Sequence, residues 1–391
     1  MLKPALFVFC LVCTIAVQAQ PKVYFDFVSH NEENTIWNGI PYYTANRARI
    51  VALSTYFHTH GITWNMQSDW VFLNNVLLQE TPTLMASTNQ KNILRWMHED
   101  QGVEMDPHAH ESQYLYPDVV HLMDSIGLPE SKLMGGTIYN ASNGMNIWTN
   151  LVQGQYGLKF PKQFWRPDYM MGGGTPNHLD DLKYFGFWNP QDPAHYLTHD
   201  TSSRLRHIGI GCPMKIETTA TVAEVWASIQ EVVQAVQSGA YPADGFYVQN
   251  IFFEQGDLNN LAFYNKVVQI ADSVNALVAQ GKAEWKTLKQ AYTLWETAFA
   301  AQVFQWECGQ TVASATPAED APRVFPNPFT HQLTLQDALG TEQFELWNAL
   351  GQICWSGRQL ADHDFSDLPG GMYFLKVWDG TKHRVGLVKK Q

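Results

Sequence analysis

The residues best suited to chemistry lie near His108-Ala109-His110. On an extended segment, side chains two apart face the same way, so two imidazoles converge on one point. Imidazole and carboxylate together suit a borderline divalent metal such as Zn²⁺. The acid- and histidine-rich stretch Ser29-His30-Asn31-Glu32-Glu33 offers the third ligand as His30 or Glu32. It also offers a base as Glu32 or Glu33, and Glu254 is the candidate acid. Arg166-Pro167-Asp168-Tyr169 carries a guanidinium that can orient a carboxylate bidentately or make a structural ion pair. Gln67, Asp69 and Trp70 form a polar and aromatic cluster, and Trp70, Trp165 and Trp188 are candidates for a sugar platform beside Tyr169. His58-Thr59-His60 has the same spacing but closes a helix, where such residues diverge, so it reads as surface.

These groups must be positioned by the elements between them. Short β-prone runs at 23–28, 62–66, 103–106, 132–139, 163–169, 184–189, 206–212 and 245–253 alternate with helical spacing at 45–57, 92–99, 119–125, 222–237 and 258–279. The alternation predicts an α/β fold with parallel strands, a (β/α) barrel that is complete, distorted or seven-stranded. In such a barrel catalytic side chains follow the C-terminal ends of strands, where the polar and aromatic residues above concentrate.

The formal net charge of −12 argues against a nucleic-acid partner. Aromatic content of 13%, with 14 Trp, suits either a packed core or rings stacked on sugars. Lys3, the apolar run 5–17 and Val17-Gln18-Ala19 read as a signal peptide over 1–19. No later stretch is long and apolar enough to span a bilayer, so no transmembrane segment is expected once the signal is removed. Of the cysteines that then remain, Cys212 and Cys308 can form a disulfide in an oxidising compartment.

The barrel region is expected at 20–308. Residues 309–322, small and polar with two prolines, read as a linker. Beyond it, 323–391 alternates short apolar runs with Gly and Pro turns, the pattern of a small antiparallel β-sandwich.

Val324-Phe325-Pro326-Asn327-Pro328-Phe329, then Leu346-Trp347-Asn348-Ala349-Leu350-Gly351, then Leu368-Pro369-Gly370-Gly371-Met372-Tyr373-Phe374-Leu375-Lys376-Val377, with Lys389-Lys390 at the end, resemble the sorting domain of the type IX (Por) secretion system. That resemblance implies passage through the outer membrane, contact with the secretion machinery, and removal by a surface sortase. It implies a secreted or cell-surface protein and says nothing of chemistry.

The preceding region resembles the polysaccharide deacetylase (NodB-like) superfamily, or more broadly the glycoside hydrolase/deacetylase barrels. Arg166-Pro167-Asp168-Tyr169 is similar to that family's base-orienting motif, and His108 and His110 to its histidine pair, spaced two apart rather than four. His30-Asn31-Glu32 stands where the family has paired aspartates, and Glu254 where it has a late histidine. The resemblance implies a metal-dependent hydrolase that removes acyl groups from an amino sugar or substituted polysaccharide. The alternatives are a glycosidase using Glu32 with Asp168 or Glu254, and a non-catalytic glycan-binding surface protein.

Overall fold

The computed structural model describes residues 21–32, 35–109, 113–137, 148–172, 180–212, 214–308, 322, 324–336, 338, 340–348, 352–378 and 383–391. The expected leader, nearly all of the expected linker, Glu33 and His110 lie outside the described residues. The chain divides into two compact units, Met1–Thr311 and Val312–Gln391.

The first unit runs β1 (Val23–Asn31), α1 (Ile40–Thr59), β2 (Trp64–Ser68), α2 (Trp70–Gln79), α3 (Pro82–Met85), α4 (Ile93–Gln101), β3 (Glu104–Pro107), α5 (Tyr116–Ile126), β4 (Leu133–Met134), α6 (Trp148–Gln153), β5 (Gln155–Tyr156), β6 (Phe164–Trp165), β7 (Tyr169–Met171), β8 (Tyr184–Trp188), β9 (Arg206–Ile210), β10 (Met214–Ile216), α7 (Val222–Ser238), β11 (Tyr247–Glu254), α8 (Leu261–Ala279), β12 (Ala283–Trp285), α9 (Leu288–Ala298) and β13 (Phe304–Glu307). It is a mixed α/β unit. One sheet is all-parallel, ordered β10-β11-β1-β2-β3, with β12 sharing the β2 edge of β1. The other is ordered β13-β8-β9-β7-β4, with β4, β7 and β9 parallel and β8 and β13 antiparallel to their neighbours. A parallel bridge from His108 to Gly135 joins the two sheets at one side. At the other, the chain passes from β9 into β10, and Gln249 Nε2 donates to the carbonyls of Gly211 and Cys212 there.

The period-two alternation of β1 sorts its side chains. Phe25 and Phe27 face the helices, in one core with Phe57, Phe253 and Trp285. Asp26, Val28 and His30 form the other row, and Val28 packs in a second core with Leu133, Phe187, Ile208 and Val248. Helix ends follow local chemistry: Thr221 and Glu224 make a reciprocal capping box on α7, which stops at left-handed Gly239.

At the N-terminal half of this inner face lies a group of carboxylates. Glu104 accepts from Thr287 Oγ1 (2.6 Å) and from Lys289 N, and Asp26 accepts from Leu288 N (3.1 Å), so β1 and β3 cap the exposed amides of α9. Asp106 accepts from Asn65 Nδ2 and Ser131 Oγ beside them. Cys212 and Cys308 are bonded, tying the β9–β10 passage to the end of β13.

Local corrections to the sequence reading are physical. The run expected as one strand at 163–169 is two elements: β6 pairs with β5 in a separate hairpin, and the sheet strand begins only at Tyr169, after Pro167. β12 and β13 were not anticipated because each is short, and α9 was not anticipated either.

The second unit contains β14 (Val324–Phe325), β15 (Thr334–Leu335), β16 (Gln343–Asn348), β17 (Ile353–Gly357), β18 (Gly371–Trp378) and β19 (His383–Lys390). These strands pair with one another antiparallel, in a two-stranded β14-β15 sheet and a four-stranded sheet ordered β17-β16-β18-β19, and Phe329 adds a parallel bridge to Lys390 of β19. Alternate residues Tyr373, Leu375 and Val377 of β18 enter a core with Phe329, Leu346 and Phe365, the pattern expected of a small β-sandwich.

Candidate functional site

His30 is the last inward side chain of β1. Parallel register sets it beside Gln67 of β2 and Glu254 of β11. His108 follows β3 directly, fixed by its N–H to Ser68 O (3.0 Å). The two rings lie 4.2 Å apart between centroids, tilted by 53°. Glu32 Oε1 stands 3.3 Å from His30 Nδ1 and 3.5 Å from His108 Nε2. One donor atom from each of the three falls within 4.8 Å of the others. His108 is buried (1% exposed) while Glu32 is 47% exposed on its side chain, so the cluster runs from the interior to solvent.

Its surroundings constrain it. Gln67 Oε1 lies 2.9 Å from His30 Nε2, and Gln67 Nε2 reaches Met171 Sδ at 3.3 Å. A carbonyl oxygen only accepts, so His30 Nε2 donates to it, and in the neutral ring Nδ1, on the Glu32 side, is the nitrogen left to ligate a cation. Phe252 stacks edge-on to His30 at 4.4 Å. Gly135 and Gly136 form the wall opposite: a Cβ on Gly136 would stand 2.5 Å from His108 Cε1, and one on Gly135 would stand 1.9 Å from Gln67 Oε1.

Glu254 sits next to His30 across the β1–β11 pair. Burial pushes its carboxyl above the usual range and the Glu32 charge pushes the same way, while His30 and Lys215 pull it down. Lys215 Nζ is 3.6 Å from Glu254 Oε1 and 5.3 Å from the Phe252 ring centroid.

The structure therefore brings together His30, Glu32, His108, Gln67 and Glu254 of the residues singled out from sequence. Glu33 and His110 lie outside the described residues. Trp70 follows the end of β2 and stacks on Tyr114 at 4.5 Å and 5°, at the same end of the sheet. The others need correction. Asp69 is fully buried and caps α2 by accepting from Val71 N and Phe72 N, so its Oδ1 is committed to the helix. Trp165 and Trp188 have no free face: both are buried and donate to Ser131 O and Tyr196 O. Arg166, Asp168 and Tyr169 precede or open β7, whereas His108 bridges to Gly135 beyond the far end of β4. Because β4 and β7 are parallel, the Arg166-Pro167-Asp168-Tyr169 segment is at the opposite end of the strands from His30. Asp168 is instead bonded to Arg204 (2.6 Å), and Tyr169 stacks on Tyr292.

Gly135, Gly136 and Lys215 were not anticipated. The adjacent glycines were the available signal, and Lys215 had none.

No helix among the described residues is long and apolar enough to cross a membrane. No curated protein matches the chain. Among solved structures it is similar to the 4-alpha-glucanotransferase from Thermococcus litoralis, with 10% identity, a TM-score of 0.40, and coverage of 70% of this chain and 40% of that one. Residues 323–390, nearly the whole second unit, match the secretion system C-terminal sorting domain (Por_Secre_tail). The protein is exported through the type IX secretion system to the cell surface or beyond it.

Proposed function

We propose that the first unit is an exported, metal-dependent carbohydrate hydrolase that removes acyl groups, acting from a distorted (β/α) barrel. The observation that carries the reading is the His30–Glu32–His108 cluster at the C-terminal ends of β1 and β3, parallel strands on either side of β2. The donor set fits a Zn²⁺-like ion. Bonds of about 2.0–2.1 Å to nitrogen and oxygen put tetrahedral neighbours about 3.3 Å apart, close to the 3.3 and 3.5 Å from Glu32 Oε1 to the two imidazole nitrogens. When bound, such an ion polarises an acyl carbonyl and acidifies a water. His30, His108 and Glu32 would hold it. Gln67 keeps the His30 proton on Nε2 and so leaves Nδ1 as the ligating nitrogen. Glu254, whose proton is held more tightly than usual, is the acid that protonates the leaving group. Of the two candidate bases, Glu32 and Glu33, the use of Glu32 as a ligand leaves Glu33 for that role. The stacked Trp70 and Tyr114 offer a rim for a sugar ring.

A second reading rests on Glu32 and Glu254, two carboxylates close enough for one to raise the pKa of the other. Such a pair could serve a glycosidase.

One comparison tests the first reading: metal content and acetate release from an acetylated amino-sugar polymer, for the full chain and for His30→Ala/His108→Ala. The expected result is about one metal per chain and activity lost with chelator, with both absent from the variant. Negligible metal in both proteins would overturn it. Glycan cleavage that survives chelation would favour the glycosidase.

A further inference from the structure

A second cleft, of about 470 Å³, opens at the N-terminal ends of β7 and β9, the end away from His30. Three guanidiniums line it: Arg166, Arg204 and Arg206. Burial is the main cause that lowers the pKa of Arg204, and Arg166 and Arg206 are close enough to push it the same way. Two carboxylates offset part of this charge, Asp168 on Arg204 (2.6 Å) and Glu296 on Arg206 (3.0 Å). Arg166 is exposed and makes no ion pair among the described residues. The cleft therefore holds an excess of positive charge on a chain of net charge −12.

Its neutral groups are also arranged for a ligand. Asn189 N–H donates to His199 Nδ1 at 3.0 Å, so the neutral ring carries its proton on Nε2 and remains a donor. Burial lowers the His199 pKa and keeps it in that form. Asn189 is 92% buried, at 8% exposure, and its Oδ1 has no hydrogen-bond partner. The buried Arg204 Nε likewise has none. The far wall is Ala300-Ala301, two consecutive non-glycine residues with φ of 50° and 53°. Left-handed backbone of this kind is strained and recurs at ligand clamps.

We propose that this cleft binds an oxyanion, a carboxylate or sulfate, on a ligand with a neighbouring hydroxyl. The guanidiniums and the His199 donor take the anion, and the Thr201 and Ser203 side chains that line the same cleft can meet the hydroxyl. A uronate or sulfated sugar has both parts. The site is independent of the histidine cluster and does not rest on the hydrolase reading.

The test is calorimetric titration of the full chain with glucuronate, inorganic sulfate and glucose. Saturable binding of glucuronate that weakens with added salt, and little binding of glucose, is expected. Sulfate binding as tightly as glucuronate would show that the anion alone is read; tighter glucuronate would show that the hydroxyl adds to it. Arg166→Gln should weaken binding about tenfold, the loss of about 1.4 kcal/mol. Asp168→Asn should tighten it severalfold by removing the competing carboxylate, a gain that no folding defect would produce. Binding should persist in His108→Ala and in chelator. No saturable binding of either anion, equal affinity for glucose, or indifference to both cleft substitutions would overturn the proposal.

Discussion

His30 and His108 come from strands that are not neighbours, since β2 lies between β1 and β3, yet their ring centroids are 4.2 Å apart. The approach depends on what surrounds them. Gln67 of the intervening strand turns one nitrogen of His30 away, and the glycine pair after β4 leaves room for His108.

Gly136→Ala tests the second of these supports. The new Cβ would meet His108 Cε1 at 2.5 Å, at a backbone φ of +68°. Stability should fall by about 1–3 kcal/mol from backbone strain, read as a lower urea midpoint, and metal affinity should fall with the displaced imidazole. Gly102→Ala is the control: its φ is +75° but nothing lies within 4 Å of the new Cβ. It should cost stability and leave metal affinity unchanged. Equal metal binding in both variants would separate His108 from any metal.

Gln67→Leu tests the first support. It removes the acceptor at 2.9 Å that fixes the His30 proton. Losing such an outer partner typically costs ~10–100-fold in metal affinity. Competition with a chromogenic chelator reads this directly. Unchanged affinity would mean that the His30 tautomer needs no help.

How far the sequence foresaw this site follows from the kind of signal each residue gives. His30, Glu32, His108 and Glu254 stand at the ends of β-prone runs, so periodicity alone predicted a shared end of the sheet. The Arg166-Pro167-Asp168-Tyr169 segment failed for a local reason. With Phe164, Trp165 and Tyr169 in it, the stretch 163–169 reads as one strand, but Pro167 divides it, and only Tyr169 onward joins the sheet. The segment thus precedes its strand rather than following it. Trp165 and Trp188 show the limit of composition, since a buried indole and a sugar platform have the same residue type. The antiparallel β8 and β13 have no distinguishing sequence mark, because pairing direction is set by long-range contacts. The C-terminal unit was far more legible, its alternation and turns being local.

The Cys212–Cys308 bond, which composition merely permitted, joins residues 96 apart in sequence. Chain-entropy reasoning assigns about 4–5 kcal/mol to closing a loop of that length, and removal of native disulfides typically costs about 2–5. Cys308→Ser should lower the urea midpoint accordingly without altering metal binding, since both cysteines lie away from His30 and His108. A midpoint unchanged by this substitution and by reductant would show that the cross-link contributes nothing to stability.

The carboxylates of the inner face give the stability a pH dependence of unusual sign. Burial is the main cause that raises Asp26, Glu104 and Asp106, and Asp106 is held up to about 7, with the Glu104 charge adding to the effect. An unfolded aspartate releases its proton near pH ~3.9. Between about pH 4 and about pH 7 the folded protein therefore binds more protons than the unfolded chain, and stability falls as pH rises through that window. The loss from Asp106 should be on the order of a few kcal/mol, complete above about pH 7. Exposed carboxylates with lowered pKa, such as Asp100 and Asp192, act in the opposite direction but are screened by solvent. Asp106→Asn should flatten the profile: Ser131 can still donate to the amide oxygen, and Asn65, whose Oδ1 has no partner, can turn over to accept from the new amide nitrogen. Urea midpoints at about pH 4.5 and about pH 7.5 decide the matter. Wild-type stability that rises over this interval, or an equal slope in Asp106→Asn, would remove Asp106 as the cause.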